Sequence, residues 1–78
     1  MKVKIHKVKE IYIIGDHIKL DALLKFASIA ATGGEAKFYI LNGEVFVGGK
    51  PCVLRGKKIR PGDVVRYGNR VLIVRQQI

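Results

Sequence analysis

The chain has 78 residues, of which 49% are hydrophobic and 27% are charged. This length allows one compact core and excludes a multi-domain enzyme, while the apolar content is too high for a disordered basic tail. Fifteen Lys and Arg residues against 6 Asp and Glu give a formal net charge of +9, which favours a polyanionic partner. We expect a single domain over residues 1–78.

The N-terminal segment has the period of a β-strand. Val3 and Ile5 alternate with polar residues, which predicts a strand with one buried face. The alternation breaks at Lys7, because Val8 falls on the opposite face before apolar residues resume at Ile11. This break predicts a bulge or a short turn near Lys7.

Apolar residues then recur at helical spacing, from Leu20 to Ala31. The spacing predicts a first helix over about residues 19–31, with one buried face and one solvated face. Asp21 lies in its first turn, where a carboxylate is favoured by the positive end of the helix dipole.

A second helix follows closely. Thr32 and Glu35 have the spacing of a capping box, in which each side chain accepts a hydrogen bond from the other residue's backbone amide. The helix should end at Asn42 and Gly43, since glycine tolerates the left-handed conformation that terminates helices. Its expected buried residues are Ala36, Tyr39 and Ile40, with Lys37 exposed.

The C-terminal third alternates with period two and contains three turn signals. The expected strands lie at residues 45–47, 64–67 and 71–75, and the expected turns at Gly48–Gly49, Pro61–Gly62 and Gly68–Asn69. The sequence therefore predicts an α+β domain in which two short tandem helices pack on a small antiparallel sheet, with an added N-terminal strand and a C-terminal hairpin.

Cysteine content and apolar run length indicate the compartment. Cys52 is the single cysteine, so an internal disulfide cannot form, which favours a reducing environment. The longest apolar runs, at residues 11–14 and 27–31, are far shorter than the roughly 20 residues that cross a bilayer. We expect a cytoplasmic protein with no membrane partner.

Five cations lie close together with no acid between them. They are Lys50, Arg55, Lys57, Lys58 and Arg60. Each phosphate that such residues neutralise releases condensed counterions, so nucleic acid is the expected partner ahead of an acidic protein. The alternative interpretation of the cluster is an ordinary solvated loop.

The turn before the second helix is a further candidate for phosphate binding. Gly33 and Gly34 leave the amides of a helix N-terminus uncovered by side chains, so a phosphate could approach them closely. The alternative is that both glycines only shape the connection between the helices. Lys25 and Lys37 lie on solvated helix faces and could extend the same surface.

Catalysis finds little support in the sequence. His6 and His17 lack the spacing of a metal-binding pair, and the acids are scattered at turns and element starts. We expect no enzymatic activity, no metal site and no cofactor.

The aromatic residues also restrict the mode of binding. Tyr12 and Tyr67 are the freer aromatic residues, and neither belongs to an alternating aromatic platform. A partner is therefore expected to be recognised by backbone shape rather than by base stacking. Four other aromatic residues have positions typical of a core: Phe26, Phe38, Tyr39 and Phe46.

An ordered series of motifs covers about residues 18–67, most of the chain. Its members are Leu20, Asp21 and Leu24; Gly34, Glu35, Ala36, Lys37 and Ile40; Gly43, Val45, Val47, Gly49 and Lys50; and Arg60, Pro61, Gly62, Asp63 and Val64. The series resembles the RNA-binding module named after protein four of the small ribosomal subunit, the S-four domain. The segments 32–37 and 55–58 are especially similar to its small stand-alone bacterial members.

The resemblance implies two helices against a short antiparallel sheet, and binding to structured RNA, commonly ribosomal or transfer RNA, through the helices and the loop between the hairpin strands. Lys19 stands where members usually carry Arg before Leu-Asp, Lys37 at the basic position after Glu-Ala, and Lys50 after the hairpin glycine. Two departures are Gly33-Gly34, where relatives often have Ser-Arg, and Gly48, where the hairpin usually has Asn.

We therefore expect a monomeric, non-enzymatic protein that binds structured RNA, with the ribosome among its expected partners. Two alternatives stay open: a protein-interaction module that docks an acidic or ribosome-associated partner, and a targeting domain that works with a separate RNA-modifying enzyme. The expected RNA-binding residues are Lys19, Lys25, Thr32, Gly33, Gly34, Lys37, Lys50, Arg55, Lys57, Lys58 and Arg60.

Overall fold

The structure, a computed structural model, describes residues 7–77. The predicted strand residues Val3 and Ile5 lie outside this range. The strands within it are Lys7–Ile13 (β1), Ile18–Lys19 (β2), Val45–Val47 (β3), Lys50–Pro51 (β4), Lys58–Ile59 (β5), Val64–Tyr67 (β6) and Arg70–Gln76 (β7), and the helices are Leu20–Phe26 (α1) and Gly33–Leu41 (α2).

The helix α1 has a narrow, fully buried face made by Leu20, Leu23 and Leu24. It ends at Phe26, so the prediction that it continues to Ala31 is wrong. The apolar spacing continues past the end of the helix because the connecting segment also contributes buried alanines, Ala27 and Ala30, to the core. A pattern of buried residues alone does not distinguish a helix from a non-helical connection.

A Schellman motif ends α1. Ser28 has a φ of 61°, and its N–H donates to the carbonyl of Lys25 at 3.0 Å. The N–H of Ile29 reaches back to the carbonyl of Leu24 at 2.9 Å. Together these two bonds satisfy carbonyls that would otherwise lack a partner at the helix end.

The start of α2 follows the predicted capping box with one change. The N–H of Glu35 donates to Thr32 Oγ1 at 3.1 Å, as expected. The Glu35 carboxylate, however, accepts from the N–H of Ala31 at 2.9 Å rather than from that of Thr32. At the other end, Asn42 caps the helix and Gly43 follows with a φ of 73°, which confirms the predicted end.

The larger sheet has the strand order β1-β7-β6-β3-β4. The pairs β3–β4, β3–β6 and β6–β7 are antiparallel, whereas β1 pairs with β7 in parallel. The sheet is therefore mixed: the strands of the predicted antiparallel sheet do pair antiparallel, and the added N-terminal strand, for which the sequence indicated no direction, pairs in parallel. The register runs unbroken from Lys7 opposite Arg70 to Ile13 opposite Gln76, so no bulge interrupts this stretch. A bulge or turn just before Lys7 lies outside the described residues.

The predicted two-residue turn between β3 and β4 is confirmed. Val47 pairs with Lys50, and Gly48 and Gly49 both have positive φ values, of 59° and 84°. Such a turn requires this conformation at both central residues, which explains the choice of glycine. The β6–β7 hairpin is likewise closed by a two-residue turn.

A second, two-stranded sheet lies next to α1. Ile18 pairs with Ile59 and Lys19 with Lys58 in antiparallel register. Strands of two residues are too short to produce a readable period in a sequence, so this pairing was not predicted.

Both helices and strands of both sheets contribute to one hydrophobic core. Its fully buried larger side chains are Leu20, Leu23, Leu24, Ile40, Val45, Ile59, Val65 and Val74. Neither helix within residues 7–77 has the length and apolar character needed to span a membrane.

Candidate nucleic-acid interface

The segment Val53–Lys58, which we call the basic loop, is fixed to the start of α1 through its backbone. The N–H of Leu20 donates to the carbonyl of Lys57 at 2.9 Å, and the N–H of Asp21 donates to the carbonyl of Arg55 at 3.1 Å. The first amides of a helix have no partner within the helix, and these carbonyls satisfy two of them. The loop is thereby held against the helix without using its side chains.

A groove of about 530 Å³ separates the basic loop from α2. Lys37 lines it on the helix side, and Arg55 and Lys57 line it on the loop side. Two further depressions adjoin this groove because they share lining residues with it: one reaches Lys50 in the β3–β4 hairpin, and the other reaches Gly34 in the first turn of α2. We call the three together the basic groove.

The charge of the basic groove is entirely positive over residues 7–77. Its lining includes four exposed cations, Lys37, Lys50, Arg55 and Lys57, and no aspartate or glutamate. An uncompensated positive groove raises the local concentration of anions and strengthens their binding.

Two more predicted cations lie in the short two-stranded sheet. Lys19 and Lys58 lie directly opposite each other in the β2–β5 pair, and both are exposed. Like charges at directly opposed positions are destabilising unless an anion lies between or beside them. Neither lysine lines the groove itself, so the structure places four of the predicted cations around it and these two in the neighbouring strand pair.

Two predicted cations lie elsewhere. Lys25 is exposed in the last turn of α1 and lines no part of the basic groove. Arg60 lines no part of it either. Its positive charge helps to lower the pKa of Asp16, which is lowered chiefly by the hydrogen bond with His17, with Nδ1 and Oδ1 2.7 Å apart. The groove therefore includes neither side chain.

Gly33 and Gly34, which the sequence placed in the turn before the second helix, form the first turn of α2. In the part of the chain that the structure describes, the amides of Gly33 and Gly34 donate to no protein acceptor. Gly34 lines the basic groove, whereas the Thr32 hydroxyl already accepts the capping hydrogen bond from Glu35. Of the three predicted residues Thr32, Gly33 and Gly34, Gly34 is the one whose amide lies on the groove and has no protein acceptor.

The prediction that Phe26 and Phe38 belong to the core is wrong. Their exposed fractions are 63% and 60%, and Phe38 lines the basic groove beside Lys37. The sequence did contain a signal for this position. At 100° per residue, Phe38 points about 160° away from each of the buried residues Ala36 and Ile40.

The other aromatic residues are half-buried or exposed. Tyr39 packs against the core and its ring centroid lies 4.7 Å from that of Tyr67, so the prediction of a free Tyr67 is wrong. Phe46 is half-buried beneath the guanidinium of Arg66, which lies 4.6 Å from the ring centroid. Tyr12 is exposed, as expected.

Histidine, cysteine and acidic side chains do not assemble here. Between Lys7 and Gln77, no three of them lie close enough together to hold a metal ion.

Comparison with known proteins identifies relatives of the chain. Residues 11–75 match the S4 domain family, the module written S-four above, and this range includes nearly all of β7. A segment of 48 residues is 42% identical to a probable ribosome maturation protein, RlbA, of Bacillus subtilis, and covers 62% of this chain and 68% of the relative. A segment of 52 residues is 33% identical to the small ribosomal subunit protein uS4 of Novosphingobium aromaticivorans, and covers 67% of this chain.

The matching segment spans only 26% of the length of uS4, so this second relative is much larger than the present chain. The match to the family covers most of the chain, and it includes both helices and the hairpin strands that form the basic groove. The resemblance noted from the sequence motifs is thus confirmed, and the chain belongs to the S4 domain family.

Proposed function

We propose that the protein is a non-enzymatic, cytoplasmic RNA-binding protein with a role related to the ribosome, and that it binds phosphates of a folded RNA along the basic groove. The single observation that carries this proposal is a groove lined by four exposed cations, Lys37, Lys50, Arg55 and Lys57, and by no acid among residues 7–77. Lys19 and Lys58, which pair with each other at the end of the basic loop, are proposed to extend the phosphate contacts. The S4 family match and the ribosomal names of two relatives support it. Ribosomal or transfer RNA is the proposed ligand.

The geometry suits a partner with a fixed spacing of negative charges. Main-chain hydrogen bonds hold the backbone at Arg55 and Lys57 in place before binding, so little loop ordering is required when phosphates arrive. The cations lie on two opposed walls, with Lys37 on α2 facing the basic loop across the groove. A folded RNA that presents phosphates to both walls of the groove at once would be bound more tightly than an extended strand.

The test is a triple substitution, Arg55→Gln, Lys57→Gln and Lys58→Gln. Gln removes the charges and leaves the carbonyl hydrogen bonds to α1 intact, so thermal stability should change little. Loss of three phosphate contacts should weaken binding to a structured RNA hairpin by roughly 100-fold at about 0.1 M salt. Fluorescence anisotropy titration with a labelled hairpin measures this loss.

A matched control removes the same charge at a distance from the groove. Lys7, Lys9 and Arg70 are exposed at the start of the parallel pair β1–β7, and their replacement by Gln should weaken binding far less. Equal losses from the two triple variants would show that net charge rather than the groove determines binding. A duplex DNA of equal length completes the comparison, and equal affinity for both nucleic acids would contradict selectivity for RNA.

A further inference from the structure

One stripe of α2 carries apolar side chains into the basic groove. Gly34, Lys37, Phe38 and Leu41 lie at the helical spacing i, i+3, i+4 and i+7, and therefore on one face. Phe38 is 60% exposed and Leu41 53% exposed, although Ala36 and Ile40 on the opposite face are fully buried. This helix is apolar on two sides, and only one side packs against the core.

The basic loop presents apolar side chains to the same groove. Leu54 is 64% exposed and Val53 is 51% exposed, and both line the groove together with Leu41. Exposed apolar residues that occur singly need no explanation, but here they gather from two elements into one strip. Cations flank this strip, with Lys37 on the helix side and Lys57 on the loop side.

An apolar strip between cations fits only some anionic ligands. A base-paired helix offers phosphates but hides the flat faces of its bases, so it would leave the strip exposed to water. An unpaired nucleotide offers both an exposed base face and phosphates on either side of it. No acid lines the groove within residues 7–77, so it has no feature that would repel such a ligand.

We propose that the strip binds the base of an unpaired nucleotide, stacked on Phe38 and packed against Leu41 and Leu54, while Lys37 and Lys57 bind the adjacent phosphates. This proposal rests on the proposed RNA-binding function and names the RNA feature recognised: a bulged or looped-out nucleotide beside a helix. It replaces the expectation, drawn from the sequence, that recognition depends on backbone shape without base stacking.

The structure provides a matched pair of variants. Phe26 is 63% exposed at the end of α1 and lines a separate depression with Tyr12 and Ile14. Phe38→Ala and Phe26→Ala therefore remove the same side chain from similarly exposed helical positions. Each is tested by anisotropy against two RNA hairpins, one fully paired and one identical except for a single bulged uridine.

The wild-type protein should prefer the bulged hairpin. Phe38→Ala should weaken binding to the bulged hairpin by roughly 5- to 140-fold, the range measured for the loss of one base–aromatic stack, and leave binding to the paired hairpin unchanged. Phe26→Ala should change neither affinity. The proposal is overturned if the wild type binds both hairpins equally, or if Phe38→Ala leaves the preference for the bulge intact.

A photochemical experiment tests the contact itself. With 5-iodouridine at the bulge, irradiation should break the C5–I bond and join C5 of the base to a ring carbon of Phe38, with loss of HI. Mass spectrometry of the digested complex locates the attachment. Attachment to Phe26 or Tyr12 instead would contradict the proposed site. Failure of the underlying RNA-binding function gives a different result, since neither hairpin would then bind in a salt-dependent manner.

Discussion

Among single residues, Tyr67 shows how packing changes an acid–base property. The residue lies at the end of β6, half-buried, with its ring against that of Tyr39. Burial raises the pKa of the Tyr67 phenol above its ordinary value, and the neighbouring Tyr39 and Glu44 raise it further. Folding therefore favours the neutral phenol over the phenolate.

This shift predicts a loss of stability in alkali. The unfolded chain releases the Tyr67 proton near pH 10, the ordinary value for tyrosine, while the folded chain still holds it. The stabilising contribution is complete below that pH and is lost as the pH rises through the higher pKa of the folded state. Thermal unfolding followed across this alkaline range should show a decline that Tyr67→Phe reduces.

The control for Tyr67→Phe is the same substitution at Tyr12, measured over the same alkaline range. Its side chain is exposed, so Tyr12→Phe should leave the alkaline decline as it is in the wild type. A decline unaffected by Tyr67→Phe, or an ultraviolet titration in which Tyr67 ionises at or below the ordinary tyrosine value, would contradict the prediction.

At the scale of elements, the end of α1 depends on one residue in an unfavourable conformation. Ser28 occupies the left-handed position of the Schellman motif with a φ of 61°, where a side chain is strained and glycine is not. Within residues 7–77 it is the one residue other than glycine with a positive φ. The helix therefore stops here at a cost in free energy.

Ser28→Gly should raise the free energy of unfolding by about 1 kcal/mol, because relief of left-handed strain exceeds the added flexibility of the unfolded chain. Chemical denaturation measures the change. Ser28→Ala removes the same hydroxyl but keeps the strained Cβ, so it should give no gain. If both variants gained equally, the strain at Ser28 would not be the cause.

Elements whose signals are local could be predicted from the sequence. The Thr32 cap, the end of α2 at Gly43 and the Gly48–Gly49 turn each depend on a few consecutive residues, and all three are confirmed. The parallel pairing of β1 with β7 joins segments from opposite ends of the described chain, so no short pattern can indicate it. The end of α1 was missed because serine is not the usual residue for that position.

At the scale of the whole molecule, the positive charge is distributed unevenly. Four cations line the basic groove with no acid among its lining residues, while Lys25 and Arg60 lie away from it. A second group of exposed cations, formed by Lys7, Lys9 and Arg70, lies on the β1–β7 pair, where Glu10 also pairs with Arg75 at 3.0 Å. A polyanion is therefore expected to prefer the groove, where no carboxylate competes for the cations.

The salt dependence of RNA binding should report the number of phosphate contacts. With one phosphate neutralised by each of the six proposed cations, the logarithm of the affinity should fall against the logarithm of salt concentration with a slope of roughly −4 to −5, at ~0.7 to 0.9 per contact. Removing the charges of Arg55, Lys57 and Lys58 should make the slope shallower by about 2 to 3. A slope near zero for the wild type would contradict binding through phosphates.

The candidate site could be predicted in part. The run of cations from Lys50 to Lys58 is visible in the sequence because its members are neighbours in the chain. The apolar strip is not, since Leu41 of α2 and Leu54 of the basic loop line one groove only in the folded chain, with Phe38 in the adjoining depression beside Leu41. The hydrophobic character of Phe38 led to the prediction that it lies in the core. Only its angular position on the helix relative to the buried Ala36 and Ile40 shows that it is exposed instead.

The attachment of the basic loop to α1 has a consequence for how the protein can diverge. The acceptors for Leu20 and Asp21 are carbonyl oxygens, which every amino acid possesses. Positions 55 and 57 can therefore exchange side chains freely while the helix start keeps its partners. A scaffold of this kind allows new ligand preferences to arise by substitution in the loop, at little risk to folding, and it makes these positions suitable for randomised libraries that seek altered specificity.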